Sequence, residues 1–386
     1  MKCFALFAIF PLVVGCTVAA PTAQAAPKTD RLAIAPVMAD YALVVHRSYA
    51  QAHAQAIKLQ KAVDDFLAKP EDRTLLAARL AWLAARDPYS ETEAFRYYEG
   101  PIDAQGGPEG QLNGWPLNEA YIDYVKGAPQ AGIIHDVSVA LDEKTLSSKN
   151  AKDDEADITT GFHAIEFLLW GQDLSLDSAG QRPATDFAKG DPIRERRRTY
   201  LKVATDLVVK DLKTLVDAWA PGQDNNYAAK FVKMDTTDSL GKVLTGLASL
   251  SGFELASERI GVSLDSNSQE DEQSCFSDNT HHDLIHNCQG ISNVYLGQYN
   301  TWRGKGLNLL VDAVDPTLNQ QIEDRLRTTQ TLVNALDFPI DRTLASPKGS
   351  TSRKKMEALI TSLQLQAELF KKAGERLGAE VVIKAE

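Results

Sequence analysis

The chain has 386 residues, of which 44% are hydrophobic, and its formal net charge is −11. A chain of this length can bury a large core and is expected to form about two domains. The acidic balance argues against nucleic acid as a partner, because phosphate binding needs a basic face and the sequence contains no Lys/Arg stripe.

The N-terminal segment has the composition of an export signal. Residues 1–15 combine a basic start with an apolar run that is too short to span a bilayer as a mature helix. The Val-Val-Gly-Cys sequence that ends at Cys16 resembles a bacterial lipobox, in which this cysteine becomes the lipidated first residue. We therefore expect residues 16–30 to tether a periplasmic protein to a cell membrane, with the outer membrane favoured. Cleavage after Ala25, at an A-x-A site, is the alternative and would release the protein.

Periodic apolar positions predict helices throughout the first half of the chain. A long Gly/Pro-rich loop at residues 101–114 interrupts them, and loops of this length are usually functional or disordered. No sustained alternation of period two occurs, so the pattern supports only an all-α fold. Apolar residues three and four apart predict helices over residues 36–68, 71–87, 90–98, 118–125 and 132–149.

The stretch at residues 156–173 places one histidine and one glutamate among large apolar side chains. It is typical of a buried helix with a threonine N-cap that ends at Gly171. His163 and Glu166 are three residues apart, so they share one face, and burying both is costly without a partner. A bound cation or a second polar cluster would remove that cost, and helix bundles present metal ligands as such pairs. A local hydrogen-bonded pair is the structural alternative.

The segment after this helix is rich in Gly, Pro, Asp and Ser and marks the predicted domain boundary. The first domain is expected to comprise residues 31–175 and the second residues 191–386. Amphipathic patterns in the second half predict helices over residues 193–219, 237–262 and 280–299. Each half contains about four helices, so the expected architecture is two antiparallel four-helix bundles that lie side by side.

A second group of potential ligands lies at residues 269–283, which hold the densest set of such side chains. Glu272, His281 and Asp283 belong to it, and both ligand and structural roles are open for His281 and Asp283. The Ser-Asp-Asn-Thr sequence within it is also a strong signal for a helix start. Glu258, on the preceding helix, is a further candidate ligand, and an internal ion pair is its structural alternative.

Cys275 and Cys288 are the two cysteines outside the N-terminal segment. A pair that encloses a short loop in an oxidising compartment predicts a disulfide. Thiolate ligands to a soft metal are the alternative, but the surrounding His and Asp residues suit harder ions.

Three stretches of the sequence resemble the imelysin family, also called the iron-regulated protein A or M75 peptidase-like family. The first is a GxHxxExxLWG run made of Gly161, His163, Glu166, Leu169, Trp170 and Gly171. Residues 92–103 with 113–123 resemble the family's first-domain signature, and residues 269–283 resemble that of its iron-regulated branch. The resemblance covers most of residues 35–380. It implies a pseudo-repeat of two bundle domains, with Glu93, Glu99, Asp103 and Trp115 near the site.

Two functions agree with this resemblance. The first is a lipid-anchored binding protein of iron uptake, which would hold iron or an iron chelate between the bundles and serve an inner- or outer-membrane iron-transport system. The second is a metallopeptidase that uses zinc at His163 and Glu166. Binding is favoured because helical zinc peptidases use two histidines four apart with a glutamate between them, and no HExxH occurs in the sequence. Leu169 also stands where family members with HxxExxE have another carboxylate.

Other chemical classes lack their motifs in this sequence. It contains no Gly-rich phosphate loop, no CxxCH haem-attachment motif and no GxSxG elbow. Nucleotide binding, covalent haem attachment and serine hydrolysis therefore have no support.

Overall fold

The computed structural model describes residues 31–384. The predicted signal, the tether and Cys16 lie outside the described residues, so the lipid anchor stays a prediction. Within residues 31–384, no helix combines the length and the apolar composition needed to cross a bilayer.

Most of the described part of the chain is helical. Its two named strands have two residues each and pair as one antiparallel hairpin. The elements in chain order are α1 (Arg31–Ala68), α2 (Asp72–Glu91), a 3-10 helix (Thr92–Phe95), α3 (Glu109–Asn113), α4 (Glu119–Ile122), α5 (Glu143–Lys149), α6 (Gly161–Trp170), a second 3-10 helix (Ala184–Phe187), α7 (Pro192–Trp219), α8 (Tyr227–Phe231), α9 (Thr236–Ser249), a π-helix (Leu250–Gly261), α10 (Val262–Ser266), a third 3-10 helix (Gln269–Asp271), α11 (Thr280–Leu296), β1 (Gln298–Tyr299), β2 (Trp302–Arg303), α12 (Leu307–Val314), α13 (Pro316–Asn334), α14 (Ile340–Leu344) and α15 (Thr351–Leu377).

The first bundle consists of α1, α2, α6 and α7, which pack as a ring in which each helix contacts the next. The sequence dictates the buried face of α1. Ala52, Leu59 and Val63 recur at spacings of seven and four residues, and all three are 0% exposed. The helix predicted over residues 36–68 is confirmed, and it begins five residues earlier, at Arg31.

The second bundle consists of α9 with its π-helical continuation, α11, α13 and α15. α15 packs against α9 and α13, and α11 packs against α13. α11 also packs against α2 and the 3-10 helix Thr92–Phe95, so it joins the two bundles. The all-α fold of two antiparallel four-helix bundles is thereby confirmed.

The position of α7 bears on the predicted domain division. The division into residues 31–175 and 191–386 assigns this helix to the second bundle. In the structure α7 packs along α1 and α6, which belong to the first bundle. The division itself stays a prediction.

The helix predicted over residues 132–149 is wrong in its first part, because only Glu143–Lys149 is helical. Gly132 adopts φ 89°, and a Cβ there would lie 2.3 Å from the backbone of Ile122, so the chain makes a close crossing at this point. Asp142 then caps α5 by accepting a 2.8 Å hydrogen bond from the Thr145 N–H. The local turn and the cap outweigh the apolar period.

The predicted end of α2 at Pro88 is also wrong, since the helix continues to Glu91. Proline removes one backbone hydrogen bond from a helix. Tyr89 and Ser90 are 1% and 0% exposed, so burial of the last turn outweighs that loss. This extra turn carries Ser90 to α11, where it enters the site.

Candidate functional site

The helix α6 carries the predicted pair and is buried along its whole length. Gly161 begins it with φ 87°, and a Cβ there would lie 2.6 Å from the carbonyl oxygen of Leu112, so the close approach requires glycine. Gly171 ends it with φ 74°. His163 and Glu166 are both 0% exposed, and Nδ1 of the histidine lies 2.9 Å from Oε2 of the glutamate. The two side chains therefore share one face, as the helical period predicts.

The second carboxylate oxygen of Glu166 is held from the other half of the chain. Its Oε1 accepts hydrogen bonds from the N–H and the Oγ of Ser277, at 2.9 and 2.6 Å. Burial raises the pKa of Glu166 well above its usual range, and the bonds from Ser277 oppose that rise. Both oxygens of this carboxylate are thus engaged. The sequence assigned Ser277 to a helix start and gave no signal for this contact.

His163 has one nitrogen that no described residue satisfies. Its Nε2 is buried and has no hydrogen-bond partner within residues 31–384. Burial, together with the nearby charges of Arg86 and Arg259, holds the pKa of His163 well below its usual range, so the ring is neutral. With its proton on Nδ1, the ring would donate to the Glu166 carboxylate and would leave the Nε2 lone pair without a partner among the described residues. This arrangement is the one in which a carboxylate orients a metal-binding histidine.

Trp115 contacts this histidine and also lines a cleft, which the histidine itself does not line. Its ring centroid lies 5.1 Å from that of His163 and 5.9 Å from that of Phe276. The same tryptophan lines a cleft of about 470 Å³ between the segment after α3 and the π-helix. Carboxylates dominate the charged lining of this cleft, namely Glu109, Glu155, Glu254, Glu258 and Asp271.

A buried ionic network lies beneath the cleft. Glu93, from the 3-10 helix after α2, accepts hydrogen bonds from Arg259 at 2.6 Å, Arg96 at 3.2 Å and Asn113 at 3.2 Å. It is 1% exposed and does not line the cleft. The carboxylate of Glu93 is thus close to the predicted site, but its oxygens are already bonded to arginines and are not free to bind a ligand.

The π-helix decides which glutamate joins this network. Arg259 Nε donates to Glu254, five residues earlier, at 2.7 Å, because π-helical winding brings residues five apart together. The sequence predicts an ordinary helix, in which Glu254 and Glu258 share a face. In the structure Glu258 is exposed and lines the rim of the cleft instead.

Asp283 is half of a buried ion pair with Arg86. The guanidinium donates from Nε at 3.0 Å and from Nη2 at 3.1 Å, and Ser90 Oγ adds a 3.0 Å bond. Burial alone would raise the pKa of Asp283, but Arg86 holds it below its usual range. Arg86 also donates to Asn113 at 2.6 Å, which links α11 to the network at Glu93. Arg86, one of three arginines in α2, lies at the end of its apolar run and was the available sequence signal for this pair.

Four other predicted residues do not line the cleft. Glu99 is exposed, and Asp103 closes a turn by accepting from the Gly100 N–H at 2.6 Å. His281 packs against Phe338 with ring centroids 4.3 Å apart and the rings tilted by 46°, and burial lowers its pKa to about 4. The fourth, Glu272, is 1% exposed and lies in a separate acidic cluster.

The predicted disulfide is wrong, because Cys275 and Cys288 are buried free thiols. Ser274 contacts Thr280, so Cys275 lies near the first residue of α11, whereas Cys288 lies eight residues further along. Eight helical residues span about 12 Å, which exceeds the reach of a disulfide. Burial and the Glu166 carboxylate raise the pKa of the Cys275 thiol, and burial alone raises that of Cys288 to about 12.

Comparison with known proteins decides the family. The sequence model of the imelysin family matches residues 45–370. The chain belongs to the imelysin family. Iron-regulated protein A of Synechococcus elongatus is 30% identical over 318 residues, which cover 80% of this chain and 77% of that protein.

Two solved structures share the imelysin fold of this chain. An iron-regulated protein A precursor from Parabacteroides distasonis superposes with a TM-score of 0.72 at 19% identity, covering 92% of this chain and 97% of that one. An imelysin-like protein from Psychrobacter arcticum gives a TM-score of 0.63 at 15% identity, again covering 92% and 97% of the two chains. At these identities the likeness concerns the fold.

Proposed function

We propose that this imelysin is a binding protein of iron uptake, which takes iron as an anionic chelate in the cleft lined by Trp115. The observation that carries the proposal is the Nε2 atom of His163, which is buried, neutral and without a partner among the described residues. A buried polar atom is costly when it is unsatisfied. A ligand that this nitrogen contacts would remove the cost.

The contacts of Glu166 favour a role in orienting His163 over a role as a metal ligand. Both of its oxygens are engaged, one by His163 and the other by Ser277. It therefore fits the position of a carboxylate that fixes the orientation of a metal-binding imidazole, and such partners strengthen metal binding. The pair then offers one ligand atom, so further ligands must come from the cleft or from the chelate itself.

Charge supports a chelate over a free ion. Arg86 and Arg259 lie close enough to depress the pKa of His163, and the same charges oppose a bare cation at its ring. Arg259 also lines the cleft, where its guanidinium could meet the carboxylates of an iron chelate. Glu155, Glu258 and Asp271 at the cleft supply oxygen atoms that could contact the metal of such a ligand.

The cellular role is part of the same proposal. The relative from Synechococcus elongatus is named an iron-regulated protein. An anchor at Cys16 would hold this chain at a periplasmic membrane surface, where it could pass its ligand to a membrane transport system.

Calorimetry with ferric citrate tests the proposal. We expect saturable binding by the wild type, and a fall in affinity of at least tenfold, about 1.4 kcal/mol, in His163→Ala. His53→Ala, on the partly exposed side of α1, is the matched histidine control and should bind as the wild type does. Citrate without iron should bind more weakly than the chelate.

Two outcomes would overturn the proposal. Equal affinities of wild type and His163→Ala for ferric citrate would make the pair structural. Metal-dependent cleavage of a peptide that is lost in Glu166→Gln would instead establish the metallopeptidase alternative, with zinc as the expected metal.

A further inference from the structure

A group of acidic residues lies apart from the cleft, where three segments meet. Asp173 follows the end of α6, Asp278 lies in the turn before α11, and Asp341 lies in α14. One oxygen from each carboxylate lies within 4.8 Å of the other two. The three residues are only 3%, 8% and 1% exposed. No pair among them is closer than 63 residues in sequence, so the fold alone brings them together.

Most oxygens of this acidic group have no hydrogen-bond donor. Within residues 31–384, both carboxylate oxygens of Asp341, Oδ2 of Asp173 and Oδ1 of Asp278 have no donor from outside the acidic group itself. The same is true of Oε1 of Glu272, which is 1% exposed and interacts electrostatically with Asp341. Buried carboxylates without donors are destabilising unless a positive charge or protons accompany them.

The described part of the chain supplies no such positive charge. No Lys or Arg side chain within residues 31–384 forms an ion pair with Asp173, Asp278, Asp341 or Glu272. Arg342 is adjacent to Asp341 in sequence, but it donates to Asp177 on the surface at 2.7 Å. Basic side chains in the described part of the chain therefore do not compensate the charge of the acidic group.

We propose that Asp173, Asp278 and Asp341 bind a hard divalent cation of the calcium class, with Glu272 as a neighbouring fourth carboxylate. Oxygens that share a Ca²⁺ ion lie about 2.3–2.6 Å from it, so they are at most about 5 Å apart. The spacing of the three carboxylates satisfies this limit. The absence of nitrogen or sulfur from the set favours hard ions over zinc or copper.

The number and origin of the carboxylates favour Ca²⁺ over Mg²⁺. Mg²⁺ keeps several waters and is commonly held by one or two carboxylates, whereas Ca²⁺ accepts many protein oxygens in irregular arrangements. Here three carboxylates come from three separate segments and are nearly excluded from solvent. Such a cation would join the end of α6 to α14 and to the turn at Asp278. Ser277, which holds Glu166, precedes that turn residue directly.

Shared protons are the competing way to relieve the charge. Burial, together with the neighbouring carboxylates, raises the pKa of Asp278 to about 8, and burial raises that of Asp173 to about 6. Without a cation the group would therefore hold protons near neutral pH. The two possibilities differ in what Ca²⁺ does to the wild-type protein.

Calorimetry and thermal unfolding of the full chain after EDTA treatment test the proposal. We expect one equivalent of Ca²⁺ to bind and to raise the midpoint of unfolding, with weaker binding of Mg²⁺. Asp341→Asn should lower the Ca²⁺ affinity at least tenfold. Asp177→Asn removes an exposed carboxylate of the same region and should bind as the wild type does.

The three aspartates do not line the cleft, and His163 is not one of the proposed ligands, so His163→Ala should leave the Ca²⁺ affinity unchanged. Absence of Ca²⁺ binding by the wild type would overturn the proposal even if every variant failed to fold. The same holds if Asp341→Asn bound Ca²⁺ as tightly as the wild type. If Asp341→Asn were more stable than the wild type, and Ca²⁺ changed the stability of neither protein, the acidic group would be one that shares protons instead of binding a cation.

Discussion

Ser277 donates both its backbone N–H and its Oγ to one carboxylate oxygen of Glu166, at 2.9 and 2.6 Å. The two residues are 111 positions apart, in the turn before α11 and in α6. Glu166 in turn meets His163 through its other oxygen. The second half of the chain thus sets the orientation of the histidine in the first half.

The hydroxyl of Ser277 should contribute measurably to stability. Ser277→Ala removes one of two donors to a buried carboxyl group, and leaving a buried acceptor less satisfied costs about 1–3 kcal/mol. We expect the midpoint of urea unfolding to fall accordingly. Ser148→Ala, at an exposed serine of α5, should change it little. Equal effects of the two substitutions would contradict the role of this contact.

The buried ion pair between Arg86 and Asp283 should be costly to break. Arg86→Met leaves the carboxylate buried without its cation, and such changes cost about 3–5 kcal/mol. Lys61→Met breaks an exposed pair with Asp65 in α1 and should cost less than about 1 kcal/mol. Chemical unfolding of both variants measures the difference.

A double variant tests whether the ion pair itself is responsible. Adding Asp283→Asn to Arg86→Met removes the unpaired charge and should recover part of the lost stability. The two residues act independently if the double variant is less stable than Arg86→Met by the same amount that Asp283→Asn alone destabilises the wild type.

His281 should make stability depend on pH between about 4 and 6.5. Burial and the neighbouring His282 lower its pKa from 6.5 to about 4 in the folded state. In this window the unfolded chain binds more protons than the folded one, so stability rises with pH and is lost as pH falls. Urea unfolding at pH 5 and pH 7 measures the slope.

Substitution isolates the contribution of His281 to that slope. His281→Gln should reduce the gain in stability between pH 5 and pH 7, whereas His282→Gln, at a side chain that is 49% exposed, should reduce it less. An unchanged slope in His281→Gln would assign the dependence to other groups.

The thiols of Cys275 and Cys288 should be free and unreactive in the folded protein. Both are buried, and burial raises the pKa of each thiol, so little thiolate is available to react. Alkylation followed by peptide mapping should label neither residue in native protein and both in urea without reductant. If non-reducing mass spectrometry found a peptide that links Cys275 to Cys288, the prediction of a disulfide would be correct after all.

The sequence by itself determined the local features of this protein. The apolar period of α1, the glycines at the two ends of α6 and the three-residue spacing of His163 and Glu166 are short-range properties, because helical geometry fixes which side chains share a face. The family motif lies on the same short stretch. These features were sufficient to predict an all-α fold of two bundles and a buried histidine–glutamate pair.

Local patterns were misleading where the packing of distant segments overrides them. The π-helix at Leu250–Gly261 selects Glu254 over Glu258 as the partner of Arg259, and an apolar period does not distinguish it from an α-helix. The spacing of Cys275 and Cys288 likewise favoured a disulfide that the start of α11 prevents.

Tertiary structure alone decided which polar groups meet. Glu166 contacts Ser277, which is 111 residues away in sequence, and Arg86 contacts Asp283, which is 197 residues away. The packing of α11 against the first bundle brings these residues together. Asp173, Asp278 and Asp341 come together in the same way. Each of the three aspartates looks like an ordinary surface residue in sequence. Its chemistry depends on burial and on its neighbours' charges, which are properties of the folded chain and not of any local window.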